Sequence, residues 1–550
     1  MRMHRNRYRP RVWAAAVLVA TASLITPSLT AQAGAAEGAV TAVRVLAGGE
    51  DDGADCAVHN PGSPSASSML PDPFKKLNGT RISAKGDWRC RRAEISQLAQ
   101  RSVYGQKPAK PAGVTGTVSA SSITVNVTDQ GRSASFSASV SLPSGSGPFP
   151  AVIVLGGLGA DTATIKASGV AVINFDPYTV GKEGTARNNK QGAFYSVYGS
   201  SSSTGLLMAW SWGVSRIIDV IEQSGGNILK ASATGVTGCS RFGKGTIVAG
   251  AFDQRVALTM PIESGSGGVP ILRGIPGESG AQPLSSAYSE QPWLGDAFSS
   301  YTGNPNSLPV DTHEILGMVA PRGLFVMENP YVDWLAARSG SVAALGGAEI
   351  YKALGAGSNI TYWSDVQDGT HCAVRSEWKT PLQQNLQKFL LGTGNGSGVF
   401  RIAPSKSGNL SSWRDWQTPT LTDGGGGNGG DPGGGTGGDP GGEPGGGGTN
   451  GTCTAAYRNV NSWSGGFQGE VTVRNNGTST LGGWTVGLNL ASGQSISSLW
   501  DGVNTGTSGS VTVRNSSYNG TLAANGTATF GFTATGNSTP APGNITCKSP

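Results

Sequence analysis

Ala233-Thr234-Gly235-Val236-Thr237-Gly238-Cys239-Ser240-Arg241-Phe242-Gly243-Lys244-Gly245 runs from a short aliphatic and β-branched stretch, through a glycine–cysteine–serine step, into a glycine-rich helix start. A serine hydroxyl is a weak nucleophile until a base takes its proton. A sharp strand-to-helix turn holds that oxygen clear of the backbone, beside helix N-terminal amides that steady an oxyanion. The common Gly-x-Ser-x-Gly elbow has glycine two residues after the serine, whereas Phe242 holds that place here and glycine follows at 243. Alone, a Gly-x-Ser tripeptide is usually an ordinary turn, so the partners must be sought elsewhere.

Four histidines make that search short. His4 lies in a basic leader and His59 in a run rich in proline, serine and asparagine. Only His313 and His371 come late enough for the serine, acid, histidine order of α/β-hydrolases. Asp368-Gly369-Thr370-His371-Cys372 reads as a loop before a closing helix at Pro381–Leu391. Asp311-Thr312-His313-Glu314 reads instead as a helix start capped by Asp311 or Thr312. His371 is therefore the expected base. Two of the six cysteines, Cys239 and Cys372, adjoin Ser240 and His371. A bridge between them would tie the nucleophile loop to the base loop and fix the separation on which proton transfer depends. The simplest remaining pairs are Cys56–Cys90 and Cys453–Cys547, and such bonds require an oxidising compartment.

Secretion is also written at the start. Arg2, Arg5, Arg7, Arg9 and Arg11 precede the apolar run Val12–Ile25, and Ala31-Gln32-Ala33 is a small-residue cleavage site. Residues 1–33 thus read as a signal peptide and 34–54 as an N-terminal extension of a secreted, extracellular protein. Loss of the leader lowers the formal net charge from +6 to about +1, which argues for neither nucleic-acid nor membrane partners. A monomer is expected.

Residues 423–452 are almost pure glycine broken by Asp-Pro and Glu-Pro, a composition that buries nothing and is expected to act as a tether. Before it, residues 55–422 alternate aliphatic strands with helices. Ala151–Leu155, Val170–Phe175, Ala233–Thr237, Val256–Ile262 and Gly323–Met327 read as buried parallel strands, and Leu206–Ile221 as a helix packed on them. The expected class is α/β, an α/β-hydrolase three-layer sandwich. The acid partner stays open between two places. Glu263 ends a strand and begins Glu263-Ser264-Gly265-Ser266-Gly267-Gly268, which reads as a flexible loop at the carboxyl edge of the sheet. Glu328 and Asp333 follow the next strand, where many α/β-hydrolases carry their acid.

Residues 55–422 resemble the glucuronoyl esterases, carbohydrate esterase family 15. The Gly-Cys-Ser-Arg-x-Gly-Lys motif at 238–244 carries the resemblance. So do the 263–268 stretch, Glu290-Gln291-Pro292-Trp293, Ala320-Pro321-Arg322-Gly323-Leu324, Asp333-Trp334-Leu335 and His371-Cys372, all in the family's order. The resemblance implies Ser240 as nucleophile, His371 as base, Glu263 as orienting acid and a Cys239–Cys372 bridge. It further implies Arg241 at the oxyanion and Lys244, Gln282, Glu290 and Trp334 on the uronate sugar. A ring bearing hydroxyls and a methoxy group suits directional polar groups and an aromatic wall. The implied reaction is hydrolysis of esters between 4-O-methyl-D-glucuronic acid of glucuronoxylan and lignin alcohols, without metal or organic cofactor. An acetyl or feruloyl xylan esterase and a non-catalytic wall-binding protein are the alternatives.

Residues 453–550 have a different pattern. Gly469–Arg474, Gly483–Leu490 and Ser510–Arg514 are short Val- and Thr-rich strands between Asn-Gly and Ser-Gly turns, which predicts a small all-β sandwich. The segment carries almost no charge, so aromatic stacking is the expected activity. It resembles a family 2 carbohydrate-binding module of the cellulose-binding kind, with its terminal cysteines Cys453 and Cys547 joined. Trp463, Trp500 and Tyr518 match the exposed strip that lies on a cellulose surface, and Trp484 matches a buried position.

Overall fold

The computed structural model describes residues 49–58, 66–396, 398–423, 453–463, 465–500, 502–515 and 519–549. The expected signal peptide, His4, His59, Tyr518 and the glycine-rich segment from 424 to 452 lie outside the described residues, as does all of the expected extension before 49.

Side-chain parity in Phe149–Leu155 sets the layering of the first unit. Every residue of this strand is buried. Ala151, Ile153 and Leu155 enter one apolar core, while Val152 and Val154 enter another. A strand covered on both faces needs just such a continuous aliphatic run. It is β4 of a ten-stranded sheet with β1 (Gly113–Val118), β2 (Ser122–Asp129), β3 (Arg132–Ser141), β5 (Ala171–Phe175), β6 (Leu229–Cys239), β7 (Val256–Ile262), β8 (Gly323–Met327), β9 (Ile360–Ser364) and β10 (Phe400–Ile402). The spatial order is β1-β2-β3-β5-β4-β6-β7-β8-β9-β10. Pairing is antiparallel from β1 through the β3–β5 contact and parallel from β5 to β10.

The helices are α1 (Trp88–Ala99), α2 (Thr162–Ala167), α3 (Ala193–Tyr198), α4 (Leu206–Gln223), α5 (Arg241–Phe252), α6 (Leu284–Ser289), α7 (Thr312–Val319), α8 (Ala337–Ala353) and α9 (Ser376–Leu386). Residues of α1, α4, α5, α7 and α8 build the larger core, and those of α2 and α9 cover the opposite face. The whole is the three-layer α/β-hydrolase sandwich expected. Helix α4 is buried from Leu206 to Ile221, and the charges it carries into the interior are paired there: Arg216 Nε lies 2.7 Å from Asp219 Oδ2, and Arg255 Nη1 lies 2.6 Å from Asp219 Oδ1.

Three boundaries differ from expectation. The first unit already includes Glu50, whose carboxylate takes charged donors from Lys107 at 2.9 Å and from buried Arg216, so residues before Asp55 belong to the fold. At its far end Asp423 pairs with Lys85 at 2.7 Å and so stands with this unit rather than with the glycine run. The closing helix begins at Ser376, not Pro381: the proline reads as a helix start, yet the five residues before it are already helical.

The second unit contains two four-stranded antiparallel sheets. One orders β11 (Cys453–Trp463), β12 (Gly466–Asn475), β17 (Thr527–Thr535) and β14 (Ser495–Trp500). The other orders β15 (Gly502–Thr505), β16 (Ser510–Asn515), β13 (Thr485–Asn489) and β18 (Gly543–Lys548). Period-two alternation along β12 and β16 feeds one core. There Trp484 stacks on Phe530 at 5.7 Å among Phe467, Val471, Val486 and Phe532. Disulfides join Cys56–Cys90 and Cys239–Cys372 in the first unit and Cys453–Cys547 in the second.

Candidate active site

Ser240 stands between β6 and α5 with φ 60° and ψ −126°, a backbone conformation costly for a residue with a Cβ. Its amide donates to Ile262 O at 2.9 Å and its carbonyl accepts from Lys244 N at 3.0 Å, so the elbow is held on both sides. A Cβ on Gly243 would lie 2.4 Å from Ile262 O, which is why glycine occurs at that place in the turn. Phe242, at the position where the common elbow has glycine, needs room of its own. The loop after β4 supplies it: a Cβ on Gly156 would fall 2.1 Å from the Phe242 ring. Ser240 is the N-cap of α5, whose first amides have no intrahelical acceptor and so are available to an anion at the helix start.

Glu263 follows β7 directly, has φ 45° and is fully buried. Its Oε2 lies 2.7 Å from His371 Nδ1 and also accepts from Cys372 N at 2.7 Å, while Arg375 Nε is 3.8 Å from Oε1. Those donors offset the desolvation of its charge. The contact places the imidazole proton on Nδ1 and leaves Nε2 as the basic nitrogen. Nε2 lies 3.6 Å from the sulfur of Cys372, whose bridge ends at Cys239, the neighbour of Ser240. The 263–268 stretch was expected to be a flexible loop; instead it is buried throughout, held by bonds such as Gly268 N to Gly265 O and Val269 N to Ser264 Oγ.

Neither alternative acid meets His371. Asp333 is exposed and pairs with Lys406 at 2.9 Å. Glu328 is buried behind the site, where its Oε1 accepts from Ser264 Oγ at 3.4 Å and its Oε2 has no hydrogen-bond partner. Burial, with the Glu263 charge second, pushes its carboxyl up to about 8. His313 caps no site: its Nε2 contacts Pro71 O at 3.0 Å, its ring stacks on Trp416 at 6.0 Å, and burial pushes it down to about 4.

The four expected sugar contacts gather on one side. Lys244 Nζ donates to Ser264 O and lies 5.5 Å from the Trp293 ring centroid. Burial pushes this ammonium down to about 8 against the opposing fields of Glu290 and Glu328. Gln282 Nε2 donates to Glu290 Oε2 at 2.7 Å, and its amide donates to Trp334 O at 3.2 Å. The half-exposed Trp334 ring meets His371 edge-on at 5.8 Å. Arg241 opens α5 and is paired through Nη1 with Glu183 at 2.8 Å. Glu183, Tyr178 and Arg375 carry no motif and were not read from the sequence; Trp293 had a signal, its place in Glu290-Gln291-Pro292-Trp293. Among the described residues, Cys239, Glu263, His371 and Cys372 bring donor atoms within 4.8 Å of one another. Both sulfurs are spent in the disulfide, so that set lacks the thiolates a metal would take. In the second unit Trp463 ends β11 and Trp500 ends β14.

A serine on a strained strand-to-helix elbow after β6, an acid after β7 paired with a histidine after β9, and a mainly parallel sheet beneath them define an α/β-hydrolase. Comparison with known proteins gives the family. Residues 125–355 match the family "Glucuronyl esterase, fungi" and residues 453–548 match "Cellulose binding domain". The 4-O-methyl-glucuronoyl methylesterase of Podospora anserina is 40% identical over 376 residues, 66% of this chain and 76% of that protein. Its Hypocrea jecorina counterpart is 39% identical, covering 67% and 80%. The crystal structure of a Sporotrichum thermophile glucuronoyl esterase aligns with TM-score 0.63 and 38% identity over 67% of this chain and all of that one. A serine-to-alanine variant of that esterase has been solved with methyl 4-O-methyl-β-D-glucopyranuronate and aligns with TM-score 0.63, 37% identity and the same coverage. The chain belongs to the glucuronoyl esterases, carboxylic ester hydrolases, and carries a cellulose-binding module.

Proposed function

We propose that this protein is a secreted, monomeric serine esterase that cleaves the ester between 4-O-methyl-D-glucuronic acid of glucuronoxylan and lignin alcohols while its module holds it on cellulose. The observation that carries the reading is the 2.7 Å contact between His371 Nδ1 and Glu263 Oε2 beside a disulfide that joins the residues next to His371 and Ser240. His371 Nε2 takes the Ser240 proton as the oxygen attacks the C6 carbonyl. The α5 amides and Arg241 hold the resulting oxyanion. His371 returns the proton to the departing alcohol, and water activated by the same imidazole then hydrolyses the glucuronoyl-serine. Glu263 keeps the ring in one tautomer and stabilises its charged form. Lys244, Gln282 and Glu290 take the sugar hydroxyls and Trp334 covers one face of the ring. On the module, Trp463, Trp500 and Tyr518 stack on glucan.

The test is hydrolysis of a benzyl ester of 4-O-methyl-glucuronate by the wild type and by Ser240→Ala. Turnover is expected for the first and a loss of about 10⁴-fold or more for the second. Release of acetate or ferulate from substituted xylan with no action on the glucuronate ester would favour the xylan esterase alternatives. No turnover of any of these esters would favour the non-catalytic one.

A further inference from the structure

Arg241 must already be in place when charge develops on the carbonyl, yet a free arginine side chain has many rotamers to lose. A carboxylate that the mechanism above does not use answers that need. Glu183 lies on the loop after β5, far from the nucleophile in sequence, and its two oxygens receive donors from three places. Oε2 accepts from Arg241 Nη1 at 2.8 Å and from Tyr178 OH at 2.7 Å, and Oε1 accepts from Trp293 Nε1 at 2.5 Å. The Glu183 side chain is 9% exposed against 39% for Arg241, so the fixed partner is the acid and the presented one is the guanidinium. Trp293 also lies against both site cations, 5.6 Å from Arg241 Cζ and 5.5 Å from Lys244 Nζ. The backbone repeats the connection, since Gly184 N donates to Gln291 Oε1 at 2.7 Å. An arginine presents five donors in a planar fork, so anchoring one nitrogen sets where the rest can point.

We propose that Glu183 is a positioning residue of the esterase reaction: it fixes the Arg241 guanidinium beside Ser240 and, through Trp293, ties that group to the loop carrying Glu290. The inference rests on the reading of Arg241 as an oxyanion donor. Two effects oppose each other here. The negative charge of Glu183 weakens the positive field of Arg241, while its hydrogen bond removes the freedom that would have to be lost during reaction. A single fixed oxyanion donor contributes about 10²–10³-fold to kcat, and only when its geometry is set in advance, so positioning outweighs the loss of field.

The test is a two-background measurement on the full chain with a soluble glucuronate ester. Glu183→Gln, which keeps the size of the side chain and removes the charge-assisted bond, is expected to lower kcat about tenfold or more with KM changed less than about twofold. In an Arg241→Ala background the same substitution should change kcat by less than about twofold. An equal loss in both backgrounds, or a kcat unchanged or raised by Glu183→Gln alone, overturns the proposal. An Arg241→Ala variant with unaltered kcat would overturn the reading of Arg241 instead, so the two failures are distinct. If Glu183→Gln does not fold by its thermal melt, Tyr178→Phe takes its place. It removes one donor from the same carboxylate and is expected to lower kcat about threefold alone and to leave it unchanged in the Arg241→Ala background, an equal loss in both again overturning the proposal.

Discussion

Glu263 and Glu328 follow adjacent strands, both lie fully buried, and their neighbours treat them oppositely. One oxygen of each lacks a hydrogen bond, but Glu263 receives the His371 and Cys372 N–H groups on its other oxygen and has Arg375 Nε 3.8 Å from the first, whereas Glu328 has a single serine hydroxyl at 3.4 Å. A buried carboxyl so poorly met keeps its proton, in line with the rise of Glu328 to about 8 by burial. The folded state then holds one proton more than the unfolded state between pH 4.5 and about 8, so this group makes stability fall as pH rises through that window. Lys244 acts in a different window: its folded value of about 8 lies below its ordinary 10.5, and its contribution makes stability rise with pH only above about 8. Glu328→Gln imitates the protonated form and is expected to flatten the decline. Thermal melts at pH 5 and pH 8 should show a smaller drop in Tm for the variant than for the wild type, and an identical drop would assign the decline to another group.

At the scale of elements, the site is a junction of loops held by one covalent tie. β6 delivers Ser240, β7 delivers Glu263 and the loop after β9 delivers His371, while the Cys239–Cys372 bridge joins the first to the third. The fold makes room for the bridge: a Cβ on Gly159 would lie 2.8 Å from Cys239 Cβ and 3.2 Å from Cys372 O. Replacing both cysteines by alanine is expected to cost about 2–5 kcal/mol of stability and to lower kcat about tenfold to a hundredfold, because His371 loses its register with Ser240. Denaturant melts and kcat on a soluble ester check the two effects, and full activity in a destabilised variant would make the bridge purely structural. The central strands were legible because burial on both faces forces aliphatic runs. β1 to β3 were not named from the sequence, since their alternation is written in serine and threonine on exposed faces. Helix α8 was missed as well, because it carries Gly340, Gly346 and Gly347 in its interior. Ser240 and His371 were named from motif and chain order, and Glu263 was preferred to Glu328 and Asp333 only through the family resemblance; Glu183 was not named at all. Tyr178 is five residues away, but Arg241 and Trp293, the partners that link Glu183 to the site, stand 58 and 110 residues away, and only the fold brings them together.

At the scale of the molecule, each unit has its own core and its own disulfides. The module's nearly uncharged composition separates its contribution from that of the ion-rich esterase unit. Binding through stacked rings depends on apolar and dispersion contacts and is screened little by salt, whereas binding through charge falls steeply as the Debye length shrinks. The full chain should therefore bind crystalline cellulose about equally at low and at high ionic strength. Trp463→Ala combined with Trp500→Ala removes two of the three proposed rings and is expected to weaken binding at least about tenfold, since each stacked ring contributes roughly 1 kcal/mol beyond its buried area. The same variant should hydrolyse a soluble glucuronate ester with unchanged kcat and KM, because the bonds that build the esterase site all lie within the first unit. Its activity on insoluble plant wall should fall, because fewer molecules stay beside the scattered esters. Cellulose binding retained by the double variant would place the binding surface elsewhere on the module, and a loss of binding with rising salt would argue for charge in place of stacking.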